Sequence, residues 1–174
     1  MKRDEEMKRI AYLERIPVDA RWKIAGSRAS ALPIMYRKAF RQVTDELSYN
    51  EIERDIWRGL GREAGIITSA FRLPVEDAGD IAGALIAASQ TLYGPEYAAE
   101  ITEATPGRAT LAVKECPLLN RANEMEADPK SVCNACHAYA NAAVEGMNQH
   151  YGIHYAQGMC TGDASCILTI TRKR

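Results

Sequence analysis

The stretch that decides the fold runs from Asp128 to Arg174, DPKSVCNACHAYANAAVEGMNQHYGIHYAQGMCTGDASCILTITRKR, and holds four of the five cysteines and all three histidines. Asp128 followed by Pro129 predicts a helix start: the carboxylate caps free backbone amides, and proline at the first helical position gives up a hydrogen bond the helix never had. The helix continues to about Gln149. At 3.6 residues per turn, Cys133, Cys136, His137, Ala140, Val144 and Met147 fall on one stripe, which turns two thiols and an imidazole to the same side. After Gly152 the period becomes two. In Ile153 to Cys160, His154, Ala156, Gly158 and Cys160 share one face while Ile153, Tyr155, Gln157 and Met159 share the other. Thr161, Gly162 and Asp163 signal a turn, and Ala164 to Arg172 resumes as a strand with Cys166, Leu168 and Ile170 on one side. The hairpin brings Cys160 near Cys166, and a helix lying across it lets Cys133 or Cys136 meet them.

Upstream, Tyr97 to Ala104 and Arg108 to Cys116 read as a second hairpin around Thr105, Pro106 and Gly107, a type II turn with a positive torsion at the glycine. Leu111 and Val113 then point one way, and Ala112, Lys114 and Cys116 the other. The charged segment from Leu118 to Ala127 reads as an exposed loop or lid. Ser48 with Glu51 forms a capping box that opens a helix to about Phe71, on which Gly61 and Gly65 allow another backbone to approach closely. Pro74, Glu76 and Asp77 open the next helix, which stops near Gly94. At the start of the chain, Met7, Ile10, Ala11 and Leu13 give a short amphipathic helix ended by Pro17, and a further helix follows Ser30 with Pro33 in its first turn. The fold class is therefore α+β: N-terminal helices, then a four-stranded antiparallel sheet made of two hairpins with a helix between them. Residues 1–47 are expected to form a helical arm and candidate dimerisation element, and residues 48–174 the ligand-binding domain.

A chain of 174 residues with 47% hydrophobic composition is long enough for one domain with a real core. The net charge of -1 supplies no global basic field of the kind nucleic-acid binding needs. Charges interrupt every apolar run, so neither a signal peptide nor a membrane span is drawn, and the expected setting is the cytoplasm. Five cysteines, an odd number without an export signal, point to metal binding, redox sensing or packing rather than to a disulfide framework.

Several short motifs resemble the 4-vinyl reductase domain, a small-molecule-binding module found alone and in aromatic-responsive transcription activators. They are Gly61 to Gly65 (GREAG) in a helix, Glu115-Cys116-Pro117 at a strand end, Cys133 and Cys136 opening a helix, and Cys160 to Cys166 (CTGDASC) before a final apolar strand. The resemblance covers roughly residues 50–172. It implies a structural zinc beside an apolar cavity, with Cys133 or Cys136, Cys160 and Cys166 as ligands and His154 nearest to the family's acidic position. A related group, the amino-thiazoline carboxylate hydrolases, has a similar cysteine arrangement and implies a small hydrolase as an alternative.

The residues themselves admit several chemistries. Zinc takes about four sulfur or nitrogen ligands, which Cys133 or Cys136, His154, Cys160 and Cys166 would supply. An iron-sulfur cluster would draw four thiolates from these cysteines and Cys116. Cys133-Asn134-Ala135-Cys136-His137 also spells the c-type haem attachment pattern. Cys133 and His137 make a conceivable nucleophile and base, but no third orienting group is identifiable, so catalytic residues stay unassigned. Trp57, Tyr93, Tyr139 and Tyr155 are the candidate pocket aromatics. The expected function is binding or sensing of a small apolar or aromatic molecule by a domain with a cysteine-rich structural metal site, probed against haem or iron-sulfur redox chemistry and hydrolysis. The expected partners are that molecule and a second copy of the chain, with no nucleic acid and no membrane.

Overall fold

The computed structural model describes residues 12–173. Met7, Ile10 and Ala11 of the expected first helix lie outside them. The remaining order is α1 (Val18–Phe40), α2 (Glu46–Ala70), α3 (Ala78–Tyr93), β1 (Ala98–Thr105), β2 (Arg108–Glu115), α4 (Pro117–Glu124), α5 (Pro129–Met147), β3 (Tyr151–Gln157), a 3-10 turn (Met159–Thr161) and β4 (Cys166–Arg172). This is the α+β class expected. The sheet is antiparallel throughout, in the order β1-β2-β4-β3, so the two hairpins join through β2 and β4.

The chain departs from its expected local structure in four places. Residues 12–14 are helical and end in a turn before Pro17, which also caps α1, and α1 runs unbroken through Pro33 to Phe40 where a separate helix after Ser30 was expected. Helix α2 starts at Glu46, because Asp45 accepts the Ser48 amide at 2.9 Å and so takes the capping role assigned to Ser48 itself. The supposed lid is helix α4: Pro117 occupies its first turn, and Leu118, Leu119 and Ala122 are buried along one side. The Pro106–Gly107 turn is not type II, since positive φ among the described residues occurs only at Arg72, Gly94, Glu126 and Gly162. Thr105 closes that turn instead, its Oγ1 accepting the Arg108 amide at 3.1 Å.

Helices α3 and α5 lie on the sheet, and α2 packs on α5. The core between these layers includes Ile81, Leu85, Leu111, Val144, Leu168 and Ile170. The α2–α5 seam is set by small residues, as the Gly61–Gly65 spacing suggested. A Cβ on Gly61 would overlap the Tyr139 carbonyl oxygen, and one on Gly65 would stand 2.9 Å from the Gly146 carbonyl. Helix α1 docks on α3 and α4. There Gly26 abuts Gly94, and Arg121 donates to Ser27 Oγ at 2.8 Å. The buried Arg37–Glu53 ion pair ties α1 to α2, with Asn50 accepting a second Arg37 hydrogen bond at 2.9 Å.

Candidate functional site

Where α3, α5, β2 and β4 converge they leave an internal gap of about 40 Å³. Leu85, Val113, Leu118 and Leu168 make its apolar wall, and Ser89, Tyr93, Tyr97 and Tyr139 bring hydroxyls to it. Ser89 Oγ lies 3.3 Å from the Tyr139 hydroxyl. The Tyr93 ring meets Tyr139 edge-on at 5.4 Å and Tyr97 at 6.2 Å. Three free thiols, Cys116, Cys136 and Cys166, complete the lining. Each arrives from a different element: Cys116 from the bend between β2 and α4, Cys136 from α5, and Cys166 from the first position of β4.

No acidic or basic side chain lines the site. Burial pushes the Cys136 thiol up to about 12, with Cys116 and Cys166 nearby adding to the effect. Burial likewise raises Cys116 and lifts Tyr139 to about 12. Tyr93, Tyr97 and Tyr155 are raised for the same reason. Desolvation penalises an anion that has no cationic partner, so all these groups stay protonated.

Of the pocket aromatics expected, Tyr93 and Tyr139 line the gap. Tyr155 stands at its side, donating to the Cys136 carbonyl at 3.2 Å with its hydroxyl 3.9 Å from the Cys136 sulfur. Trp57 does not line it; its ring lies behind Tyr93, 6.3 Å between centroids. Ser89, Tyr97 and the cavity role of Cys116 were not read from the sequence. Cys116 had been placed on the strand face opposite Val113, but β2 ends at Glu115 and the backbone turns into α4, which brings the thiol to the same gap as Val113. Pro117 was the available signal, because proline suits the first turn of a helix, and α4 opens there directly after Cys116.

The other two cysteines are joined to each other. Cys133 and Cys160 form a disulfide with their Cα atoms 5.9 Å apart, tying the first turn of α5 to the 3-10 turn. This corrects the expectation of thiols without disulfides. Cys166 lies beside this link, its sulfur accepting the Met159 amide at 3.3 Å. The gathering of Cys133, Cys160 and Cys166 at the α5–hairpin contact is therefore present, but with two of the sulfurs bonded together.

Strand β3 is faced opposite to the way the cysteines required. Tyr151 and Ile153 are buried and His154 is exposed, so the imidazole stands on the outer face of the sheet. Cys160 has left the strand by then, and its position owes nothing to strand alternation. Among the described residues no group of three or more His, Cys, Asp or Glu side chains is placed to hold a metal ion. The donors expected for zinc thus do not form a tetrahedral set here, and the thiols named for an iron-sulfur cluster are divided between the disulfide and the cavity. Nor does the haem pattern fit. Cys133 is bonded to Cys160, Cys136 faces the interior, and His137 is exposed at the rim, stacked on Tyr155 at 3.7 Å. Partial desolvation of that ring lowers its pKa, which keeps it neutral. The Cys133–His137 pair offers no nucleophile while Cys133 is in the disulfide.

No helix among the described residues is long and apolar enough to cross a membrane. No family model matches the chain. None of the curated proteins matches its sequence significantly. Similar folds do occur among solved structures. A trafficking protein particle complex subunit 3 from Naegleria fowleri, covalently bound to palmitic acid, has a TM-score of 0.59 at 14% identity, over 87% of this chain and 97% of that one. The phenol-responsive sensory domain of the transcription activator PoxR, with phenol, has a TM-score of 0.58 at 11% identity, over 83% of this chain and 74% of that one. At these identities the likeness is one of fold.

Proposed function

We propose that this chain is a binding domain of the 4-vinyl reductase type that takes a small uncharged molecule, apolar with one hydroxyl or similar polar group, into the gap between α3, α5 and the sheet. The observation that carries this reading is the lining itself: a wall of leucine and valine with the Ser89 and tyrosine hydroxyls to orient a polar end, and no acidic or basic side chain. The shared fold with a phenol-responsive domain supports the same class of ligand.

Size limits the ligand. A gap of about 40 Å³ admits a water, whereas a benzene-sized ring occupies a cavity of roughly 150 Å³. An aromatic ligand therefore enters only as side chains swing aside, and Tyr93 and Tyr97, half-buried at one end, are the residues with room to do so. A long acyl chain fits far less well, and a thiol held protonated like Cys136 is a poor acyl acceptor.

Phenol serves as the probe. Millimolar phenol is expected to raise the melting temperature and change Trp57 fluorescence, since Trp57 packs on Tyr93. Ser89→Ala, which leaves the apolar wall intact, should weaken binding about tenfold, the worth of one hydrogen bond. Folded protein that shows no response to phenol, methylphenols or toluene would overturn the reading.

The second expected partner, another copy of the chain, is proposed to dock on α1 and α2. All but Ile101 of the exposed large hydrophobic side chains fall between Tyr12 and Phe71. Several line a groove of about 570 Å³ between the two helices, including Leu32, Tyr36, Phe40, Ile52 and Ile56. Its one charged lining residue, Glu53, is already paired with Arg37. Leu32, Met35, Tyr36, Phe40, Val43, Leu47, Ile52 and Ile56 together present on the order of 800 Å², what one side of a standard-size interface buries.

A further inference from the structure

On the other side of α2 lies a cleft of different character. Arg54, Arg58 and Arg62 line it from α2, and Asn134, His137, Asn141 and Glu145 from α5, around a volume of about 530 Å³. Each arginine directly follows a residue buried in the α2 seam, Glu53, Trp57 and Gly61. The three guanidinium groups are thereby carried along the rim of the α2–α5 contact, while the close approach at Gly61 and Gly65 keeps the floor shallow with Ala138, Ala142 and Gly146.

The charges there are not balanced. Arg58 is bridged to Asp55 at 3.0 Å, one turn away on its own helix. Glu145, the carboxylate of the cleft, is engaged by Lys173 at 3.3 Å. Arg54 and Arg62 have no carboxylate within ion-pair distance among the described residues. Three like charges set one turn apart repel one another, and an anion shared between them would relieve that repulsion. The opposite wall adds neutral donors. Asn134 and His137 offer N–H groups without further charge, and Asn141 is oriented by donating its amide to the His137 carbonyl at 2.8 Å.

We propose that this cleft binds a small polyanion, a molecule carrying two or more phosphate groups, with Arg54 and Arg62 as its principal ligands. At 1.5 Å rise per residue, Arg54 and Arg62, eight residues apart, are offset by about 12 Å along the helix with Arg58 midway. Long side chains reaching inward from two such points suit an anion whose phosphates are spread along a chain better than a single orthophosphate, and arginine forks suit phosphate oxygens bidentately. The cleft's volume is that of a small-molecule site. A nucleic-acid strand is disfavoured, because the net charge of -1 provides no continuation of the basic stripe beyond three residues.

The test is calorimetric titration of the whole protein with inorganic tripolyphosphate, orthophosphate and a single-stranded oligonucleotide in low salt. Tripolyphosphate should bind at micromolar to submillimolar concentration, at least tenfold more tightly than orthophosphate, and weaken steeply with added salt. The double variant Arg54→Gln, Arg62→Gln should lose binding by tenfold or more with its melting temperature preserved, since both side chains are exposed. Arg108→Gln, on the distant β1–β2 turn, should leave it unchanged. Absence of tripolyphosphate binding, equal losses in the Arg108 variant, or preference for the oligonucleotide would each overturn the proposal. Phenol binding measured on the same double variant should be unaffected, so this site and the interior cavity succeed or fail separately.

Discussion

Cys136 shows how one buried side chain limits the chemistry of its site. Its thiol sits in a ring of tyrosines and leucines with no cation, and its pKa rises to about 12 from an ordinary 9.0. A three-unit rise cuts the thiolate fraction near pH 8 by about a thousandfold, and the thiolate is the reactive form. Iodoacetamide at pH 8 should therefore alkylate Cys136 in folded protein about a thousandfold more slowly than in denatured protein. Denatured but unreduced chain should titrate only Cys116, Cys136 and Cys166, as Cys133 and Cys160 are bonded. The same shift sets a pH dependence. Below pH 9 the thiol is protonated whether the chain is folded or unfolded, so nothing is lost. Above it the unfolded chain releases a proton that the folded chain holds, and stability falls between about pH 9 and about pH 12. Melting curves across that range should fall less steeply for Cys136→Ala, which has nothing to ionise; an unchanged slope would place the alkaline sensitivity in the tyrosines instead.

Helix α5 is the element on which the molecule turns, because it is buried on both sides. Toward the sheet it lines the cavity with Cys136, Tyr139 and Ala140; toward α2 it gives up side-chain volume so that Gly61 and Gly65 can approach its backbone. Gly61→Ala sets two effects against each other. Alanine favours the helix by about 1 kcal/mol over glycine, while overpacking a rigid contact typically costs about 1–3 kcal/mol. Here the new methyl meets the Tyr139 carbonyl, which belongs to a helical backbone and cannot swing away. The clash wins, and a net loss of about 2 kcal/mol is expected in urea unfolding, whereas Gly83→Ala, with open space around it, should stabilise. This seam was legible in the sequence because two glycines four apart in a helix are costly without a packing reason. Helix α5 and strand β4 were legible too, since Asp128-Pro129 fixes the start of one and the alternation Cys166, Leu168, Ile170 fixes the face of the other. Strand β3 was not. Alternation assigns two faces but does not say which is inward, and counting on to Cys160 assumed a strand that stops at Gln157. The first half of α1 and the whole of α4 were missed for a related reason: Pro33 read as a start and the charges of residues 118–127 read as a loop, although a helix tolerates both when one face is held by neighbours. The convergence of cysteines could be anticipated from their spacing, but which sulfurs bond and which face the cavity depends on where strands end.

At the scale of the whole molecule the surface is divided, with the exposed apolar side chains concentrated on α1, α2 and the residues just before α1, while the sheet edge at β1 shows charges such as Glu100 and Glu103. Charged edges of this kind discourage strand-to-strand association. That leaves the apolar helical face, rather than the β1 edge, as the place for self-association. A two-fold pairing there would place the same patch on both copies, so one substitution acts twice. Tyr36 and Ile56 both line the α1–α2 groove and are more than half exposed, at 56% and 58%. Changing Ile56 to arginine removes apolar contact and buries an unpaired charge against its symmetry mate, at a cost of several kcal/mol to the pairing. Because the side chain is solvated in the single chain, the fold itself should lose little. Light scattering after size exclusion should then report a dimer for the native chain and a monomer for Ile56→Arg, with similar helical circular dichroism. A native chain that elutes as a monomer at tens of micromolar would remove the second copy as the cover of this face. A dimer that survives both Ile56→Arg and Tyr36→Lys would move the interface elsewhere.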